Sequence, residues 1–145
     1  MPDQAHSLAP GGWSCGSARS SPRAADRCAR PDPVGYINYG ADGRFYTLVV
    51  SRNRPGPASL PPSTDEKIRL FDSMLAYTGT YTLDDEKAVH HVDASWNQAW
   101  TGTDQVRFYK LDGDRLTITG APAKDPHTGQ DTIYRIEFDR VLSSP

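Results

Sequence analysis

Short segments in which apolar and polar residues alternate, each ended by glycine, aspartate or proline, constrain this chain more than any other feature. Gln105 to Leu111 sets Val106 and Phe108 against Arg107 and Tyr109, Asp112-Gly113-Asp114 supplies a tight turn, and Arg115 to Thr119 follows. Alternation on both sides of a short Gly-containing turn predicts a β-hairpin. VGYINY, a turn over 40–43 and RFYTLVV predict another, since β-branched and aromatic residues suit a half-buried pleated surface. Ala88 to Ser95 alternates as well, with Ala88, His90, Val92 and Ala94 on one face and Val89, His91, Asp93 and Ser95 on the other.

One helix interrupts this pattern. Arg52 to Pro62 is rich in proline, which fixes φ and removes backbone donors, so it reads as a loop. Ser63 and Glu66 then have capping-box spacing, and Ile68, Phe71 and Leu75 recur at helical intervals, predicting a helix that ends near Tyr77. Thr78 to Leu83 reads as a strand, Asp84 to Lys87 as a turn, and Thr132 to Leu142 as a closing strand with alternating Tyr134, Ile136 and Phe138. One helix among about seven strands predicts an antiparallel barrel or sandwich, and a closed barrel is preferred because closure removes exposed edges.

At 145 residues with a net charge of −2, the chain fits one core and has no basic stripe for nucleic acid. No apolar run approaches the roughly 20 residues that cross a bilayer, and no signal-peptide core is visible, so a cytoplasmic protein without membrane contact is expected. Cys15 and Cys28 form neither a CxxC pair nor a disulfide framework. Adjacent His90 and His91 point to opposite faces of a regular strand, so no metal site is expected. His127, in a Pro/Gly/Asp loop, and His6, near the N-terminus, are expected to be surface residues. No cofactor motif of the nucleotide or dinucleotide type is present.

Several strings resemble the bacterial and fungal lipocalin-like domain family: DPVGYINYGADGRF, the DEK helix running into LAYTGTY, HHVDASWNQAWTGTDQVRFYKLDGDRLTI and the final FDRV. The likeness extends from Asp32 to Leu142. It implies an all-β, antiparallel calycin-type barrel with one short helix, an interior that holds a small hydrophobic or aromatic molecule and, in some members, dehydratase or cyclase chemistry in aromatic polyketide pathways. Calycins also pair an arginine of the last strand with the N-terminal tryptophan, which would make Trp13 and Arg140 partners. The expected division is an irregular segment over 1–31 and a barrel domain over 32–145.

Gly11-Gly12-Trp13 matches the G-x-W that opens the family, but Ser14 to Arg30 has alanines and cysteines as its apolar residues and no period of two. A double frameshift would account for such a break; the alternative is a genuinely disordered, basic N-terminal arm. Serine TCN and cysteine TGC codons begin with T, and moving the frame back one nucleotide puts that T in the middle position, which specifies an apolar residue. Ser14, Cys15, Ser17, Ser20, Ser21 and Cys28 would all become apolar.

Four residues are expected to carry acid/base chemistry if the polar strand faces point inward: His91 beside Asp93 as a general base, with Arg107 and Tyr109 stabilising an enolate or phenolate oxygen. Shifting the phase by one residue would exchange His91 for His90. Tyr36, His90, Trp96 and Trp100 are the candidate ligand contacts, the two tryptophans either roofing the barrel mouth or plugging its core. The first functional expectation is a barrel that binds a small hydrophobic or aromatic ligand. The second is a dehydratase, cyclase or isomerase using the same cavity, and the third a damaged family member with little activity. The oligomeric state is open, a homo-oligomer included. Sequencing the gene tests the frameshift: an apolar strand in the other frame is the expected result, and codons incompatible with one overturn it.

Overall fold

The computed structural model describes residues 11–14 and 33–141. The wall is a meander of β2 (Pro33–Tyr39), β3 (Arg44–Ser51), β4 (Met74–Leu83), β5 (Lys87–Ser95), β6 (Asp104–Asp112) and β7 (Arg115–Gly120), with β10 (Arg135–Arg140) laid against β7. A four-residue strand, β1 (Gly11–Ser14), pairs with both β10 and β2 and closes the barrel, antiparallel throughout. Trp13 and Arg140 are Cα partners across that seam, and Arg140 Nε donates to Asp114 Oδ1 at 3.1 Å. Ser14, expected to lie beyond the first strand, belongs to β1. The rest of the proposed frameshifted segment, with Cys15 and Cys28, lies outside the described residues, as does His6.

Alternation decides which side chains enter the barrel. Ile37 and Tyr39 of β2, Phe45, Thr47 and Val49 of β3, Leu75 and Tyr77 of β4, Ala88, His90 and Val92 of β5, Arg107 and Tyr109 of β6, Leu116 and Ile118 of β7 and Phe138 of β10 are all buried. Each large apolar side chain removed from water contributes about 1.5–3 kcal/mol. The two ends of the barrel differ. The turns at 40–43, 84–86 and 113–114 close one end tightly. At the other lie the 52–63 loop with helix α1 (Thr64–Asp72), the 3₁₀ turn Gln98–Trp100, and the 121–134 connection, which contains the small ladder of β8 (Ala123–Lys124) and β9 (Asp131–Thr132).

The capping box is present: Ser63 Oγ accepts from the Glu66 amide at 3.3 Å, and Glu66 Oε1 accepts from the Ser63 amide at 2.9 Å. The helix stops at Asp72, however, five residues before the expected end at Tyr77. Leu75 and Tyr77 are more stabilising inside the barrel than on a helix none of whose residues is buried, so the chain becomes extended at Met74.

A bulge sits where β4 meets β5. Thr78 pairs with Ala94 and Gly79 with Val92, leaving Asp93 without a Cα partner in the ladder. The strands approach so closely here that a Cβ on Gly79 would lie 1.9 Å from the His91 carbonyl oxygen. Backbone cannot swing aside as a long side chain can, so Gly79→Ala is expected to destabilise the fold by about 2–3 kcal/mol, the upper range for overpacking. Denaturant unfolding measures it, and a loss below about 0.5 kcal/mol would refute this account of the glycine.

Candidate functional site

β5 carries His90 into the centre of the barrel, where it is fully buried. Its ring stacks on Phe45 with centroids 4.2 Å apart. Nε2 lies 2.7 Å from the Tyr39 hydroxyl and Nδ1 lies 2.9 Å from the Tyr77 hydroxyl. Burial drives the imidazole pKa well below the ordinary 6.5, and the neighbouring charges of Arg107 and His91 push the same way. A neutral imidazole has one donor and one acceptor nitrogen. Tyr39 is wholly enclosed, and burial raises its pKa well above 10.0, so it keeps its proton and needs an acceptor for it. The arrangement that strands no proton has Tyr39 O–H donating to Nε2 and Nδ1–H donating to the Tyr77 oxygen. That leaves the Tyr77 O–H proton free to point into the interior.

Arg107 enters from β6 and is also buried. One Nη donates to the Val106 carbonyl at 3.1 Å and the other to Gln105 Oε1 at 3.5 Å. Its guanidinium carbon lies 5.5 Å from the centroid of Trp100 and 6.0 Å from that of Tyr77, within cation–π range. No carboxylate among the described residues reaches ion-pairing distance of it. Asp125, which with His90 and Arg107 makes up the buried acidic and basic side chains among the described residues, is committed elsewhere: it accepts from the amides of His127 and Thr128 at 2.7 and 2.9 Å and from the Tyr134 hydroxyl at 2.6 Å.

Between these groups the barrel keeps a cavity of about 40 Å³, partly open to solvent and displaced toward the loop end. Thr47, Tyr77, His90 and Arg107 form its polar wall, and Val49, Leu75, Ile118, Ile136 and Phe138 contribute the apolar one. A water needs roughly 10–15 Å³ of such space, so about two to four fit. This space is far smaller than the roughly 300–1,000 Å³ of pockets that enclose drug-sized ligands.

Several expected site residues lie elsewhere. His91 and Asp93 are on the outer face: His91 Nδ1 is 2.8 Å from Asp104 Oδ1, and Asp93 forms a 3.9 Å contact with Arg44. The expected group of His91, Asp93, Arg107 and Tyr109 is therefore not assembled, because the apolar face of β5, with Ala88 and Val92, faces inward and takes His90 with it. Arg107 and Tyr109 do face inward, but Tyr109 donates its hydroxyl proton to the Asp84 carbonyl at the tight-turn end. Tyr36 is exposed on the outside of β2. Trp100 is buried edge-on against Tyr77 and Trp96, so this pair plugs the loop end, and the Trp96 indole N–H has no hydrogen-bond partner among the described residues. His127, expected at the surface, is instead packed against Phe71 and Trp96, with Nε2 3.2 Å from the Met74 carbonyl.

Tyr39 and Tyr77 carried no functional expectation. Tyr77 was legible, since Leu75, Tyr77, Gly79, Tyr81 and Leu83 alternate cleanly with small and hydroxyl residues. Reading that stretch as the end of a helix concealed it.

The architecture is that of a small antiparallel β-barrel with a mixed polar and apolar interior. A family model described as lipocalin-like domain matches residues 11–138, and the chain belongs to that family. No curated protein matches it. Among the described residues, no helix is long and apolar enough to cross a membrane, and no three His, Cys, Asp or Glu side chains gather as a metal site.

Neutral His90 makes stability depend on pH in a defined direction. Well above 6.5 neither folded nor unfolded chain protonates this residue; as the pH falls through that value the unfolded chain takes up a proton that the folded one refuses, so stability falls with falling pH. Glu66 and Asp84, whose pKa values are lowered by backbone amides, lose their contribution only below 4.5 and 3.8. Between 6.5 and about pH 5, wild type should lose about 1 kcal/mol more per pH unit than His90→Gln in denaturant unfolding. Parallel profiles would contradict a neutral buried His90.

Proposed function

We propose that this barrel binds a small molecule with an apolar body, entering from the loop end and ordering itself against the Tyr77, His90 and Arg107 wall. One observation carries the reading: the barrel interior keeps open space bordered by a buried guanidinium and by the Tyr77 hydroxyl, which accepts from His90 and keeps its own proton to give. A barrel selected for stability alone would place an aliphatic side chain at position 107 and fill the space. Family membership supports the same conclusion at a coarser level, since calycin-type barrels are binding domains. Because the space holds little more than a polar head group, the body of a larger ligand would extend through the mouth or displace side chains at the loop end. We propose in addition a cytoplasmic location and, from the family resemblance, a role in secondary metabolism of the polyketide type.

The acid/base alternative draws less support. Both ring nitrogens of His90 are engaged by tyrosines, so a substrate proton has no free imidazole nitrogen to reach, and His91 and Asp93 face away from the interior.

A panel of small aliphatic and aromatic compounds, neutral and ionised, tests the reading by thermal shift and tryptophan fluorescence. At least one compound should raise Tm and perturb emission, with a rise that grows with its concentration. Ile118→Phe, which adds bulk to the cavity wall, should remove that response while the variant still unfolds cooperatively. Absence of any response in wild type, or full retention in Ile118→Phe, would defeat the assignment.

A further inference from the structure

Arg107 poses the sharpest unsolved problem in the fold. A guanidinium carries its charge, and a buried charge is strongly disfavoured unless an opposite charge or a full set of hydrogen bonds compensates it. The compensation here is partial: one backbone carbonyl, one long contact to Gln105 and two aromatic rings. Ion pairs elsewhere in the described structure are largely exposed, as with Lys124 and Asp131 at 2.7 Å, so carboxylates are available in the chain but none of the described ones is placed beside Arg107. Asp125, the buried carboxylate, is satisfied by its own loop.

The residues around Arg107 favour an occupant that is anionic and compact. Gly120 flanks the guanidinium: a Cβ added there would meet Arg107 Nη1 at 3.4 Å, an ordinary contact distance, so the glycine backbone leaves this side of the cation uncovered by a side chain of its own. Tyr77 lines the same cavity, and its spare O–H, fixed by the Tyr39–His90–Tyr77 relay, supplies a neutral donor beside the cation. A guanidinium and a hydroxyl donor that both line about 40 Å³ of space suit a planar group of two oxygens sharing one negative charge.

We propose that the cavity is a carboxylate seat: Arg107 and the Tyr77 hydroxyl hold the head group of a small organic monocarboxylate, whose apolar remainder lies along Val49, Ile118, Ile136 and Phe138. This rests on the binding function proposed above and names its substrate class. No bond is made or broken; the ligand's charge completes an electrostatic set that the chain leaves open.

Calorimetric titration of wild type with propionate, hexanoate and benzoate, against propionamide, hexanamide and benzamide, isolates the charge, because each pair has nearly the same shape. At least one carboxylate should bind ten-fold or more tightly than its amide. Arg107→Gln should bring that ratio near one while leaving amide binding measurable, Arg107→Lys should keep a reduced preference, and Tyr77→Phe should weaken carboxylate binding several-fold. Arg107→Met is the control for folding: with no ligand present its Tm should equal or exceed that of wild type, because an uncompensated charge has been removed. Equal binding of acids and amides by wild type overturns the seat but leaves the binding function standing, and so does a preference that survives Arg107→Gln. A large drop in Tm for Arg107→Met would make the arginine a structural residue and also overturn the proposal. If neither series binds and other compounds do, the carboxylate seat alone falls; if nothing binds, both readings fall.

Discussion

The interior of this barrel is organised around one imidazole whose two nitrogens are satisfied by tyrosine hydroxyls. A buried polar ring is tolerable only when its hydrogen-bonding capacity is used, and three strands must hold register for that to happen: β2 for Tyr39, β4 for Tyr77 and β5 for His90. Phe45 of β3 covers one face of the ring. A slip of one residue in any of these strands would turn its contribution outward, so the relay acts as a register lock in a sheet whose alternation alone leaves two choices.

From that lock follows a division of the barrel. Toward the tight turns, Tyr81 donates to the Gly40 carbonyl at 2.6 Å and Tyr109 to the Asp84 carbonyl at 2.6 Å, so the hydroxyls there tie the barrel to its own turns. Toward the loops, the hydroxyl of Tyr77 and the guanidinium of Arg107 border open space. Tyrosine is thus used as a rivet at one end and as an offered donor at the other. The aromatic plug of Trp96 and Trp100, backed by Phe71 and His127, separates the offered groups from the surface around helix α1.

Much of the fold was legible in the text of the chain, because short alternating runs and Gly-Asp turns have few solutions. The hairpins at 34–51 and 105–119, the capping box at Ser63 and the barrel class all appear. The end of the helix was not legible: Ile68, Phe71 and Leu75 keep helical spacing even though barrel burial captures Leu75 for a strand. The phase of β5 was concealed for a different reason. Adjacent histidines put one on each face, and assigning the polar face to the interior assumes a wet lumen, whereas a barrel this narrow is mostly core and draws in Ala88 and Val92. Arg107 and Tyr109 were placed inward correctly, yet only three-dimensional packing separates their uses, since hydrogen-bond partners from turns leave no mark on a strand's periodicity.

The seam at β1 bears on how the chain reaches its native state. β2 to β7 follow one another as a meander in which each strand pairs with the next, the longest connection being residues 52–73 between β3 and β4. β1 is different: its register with β10 joins Trp13 to Arg140 across nearly the whole chain. On a ribosome β1 can meet β2 once both have emerged, but its other neighbour, β10, is made after every other strand of the barrel, so until then the edge that β10 will cover stays unpaired. Closure comes late, and four residues carry it.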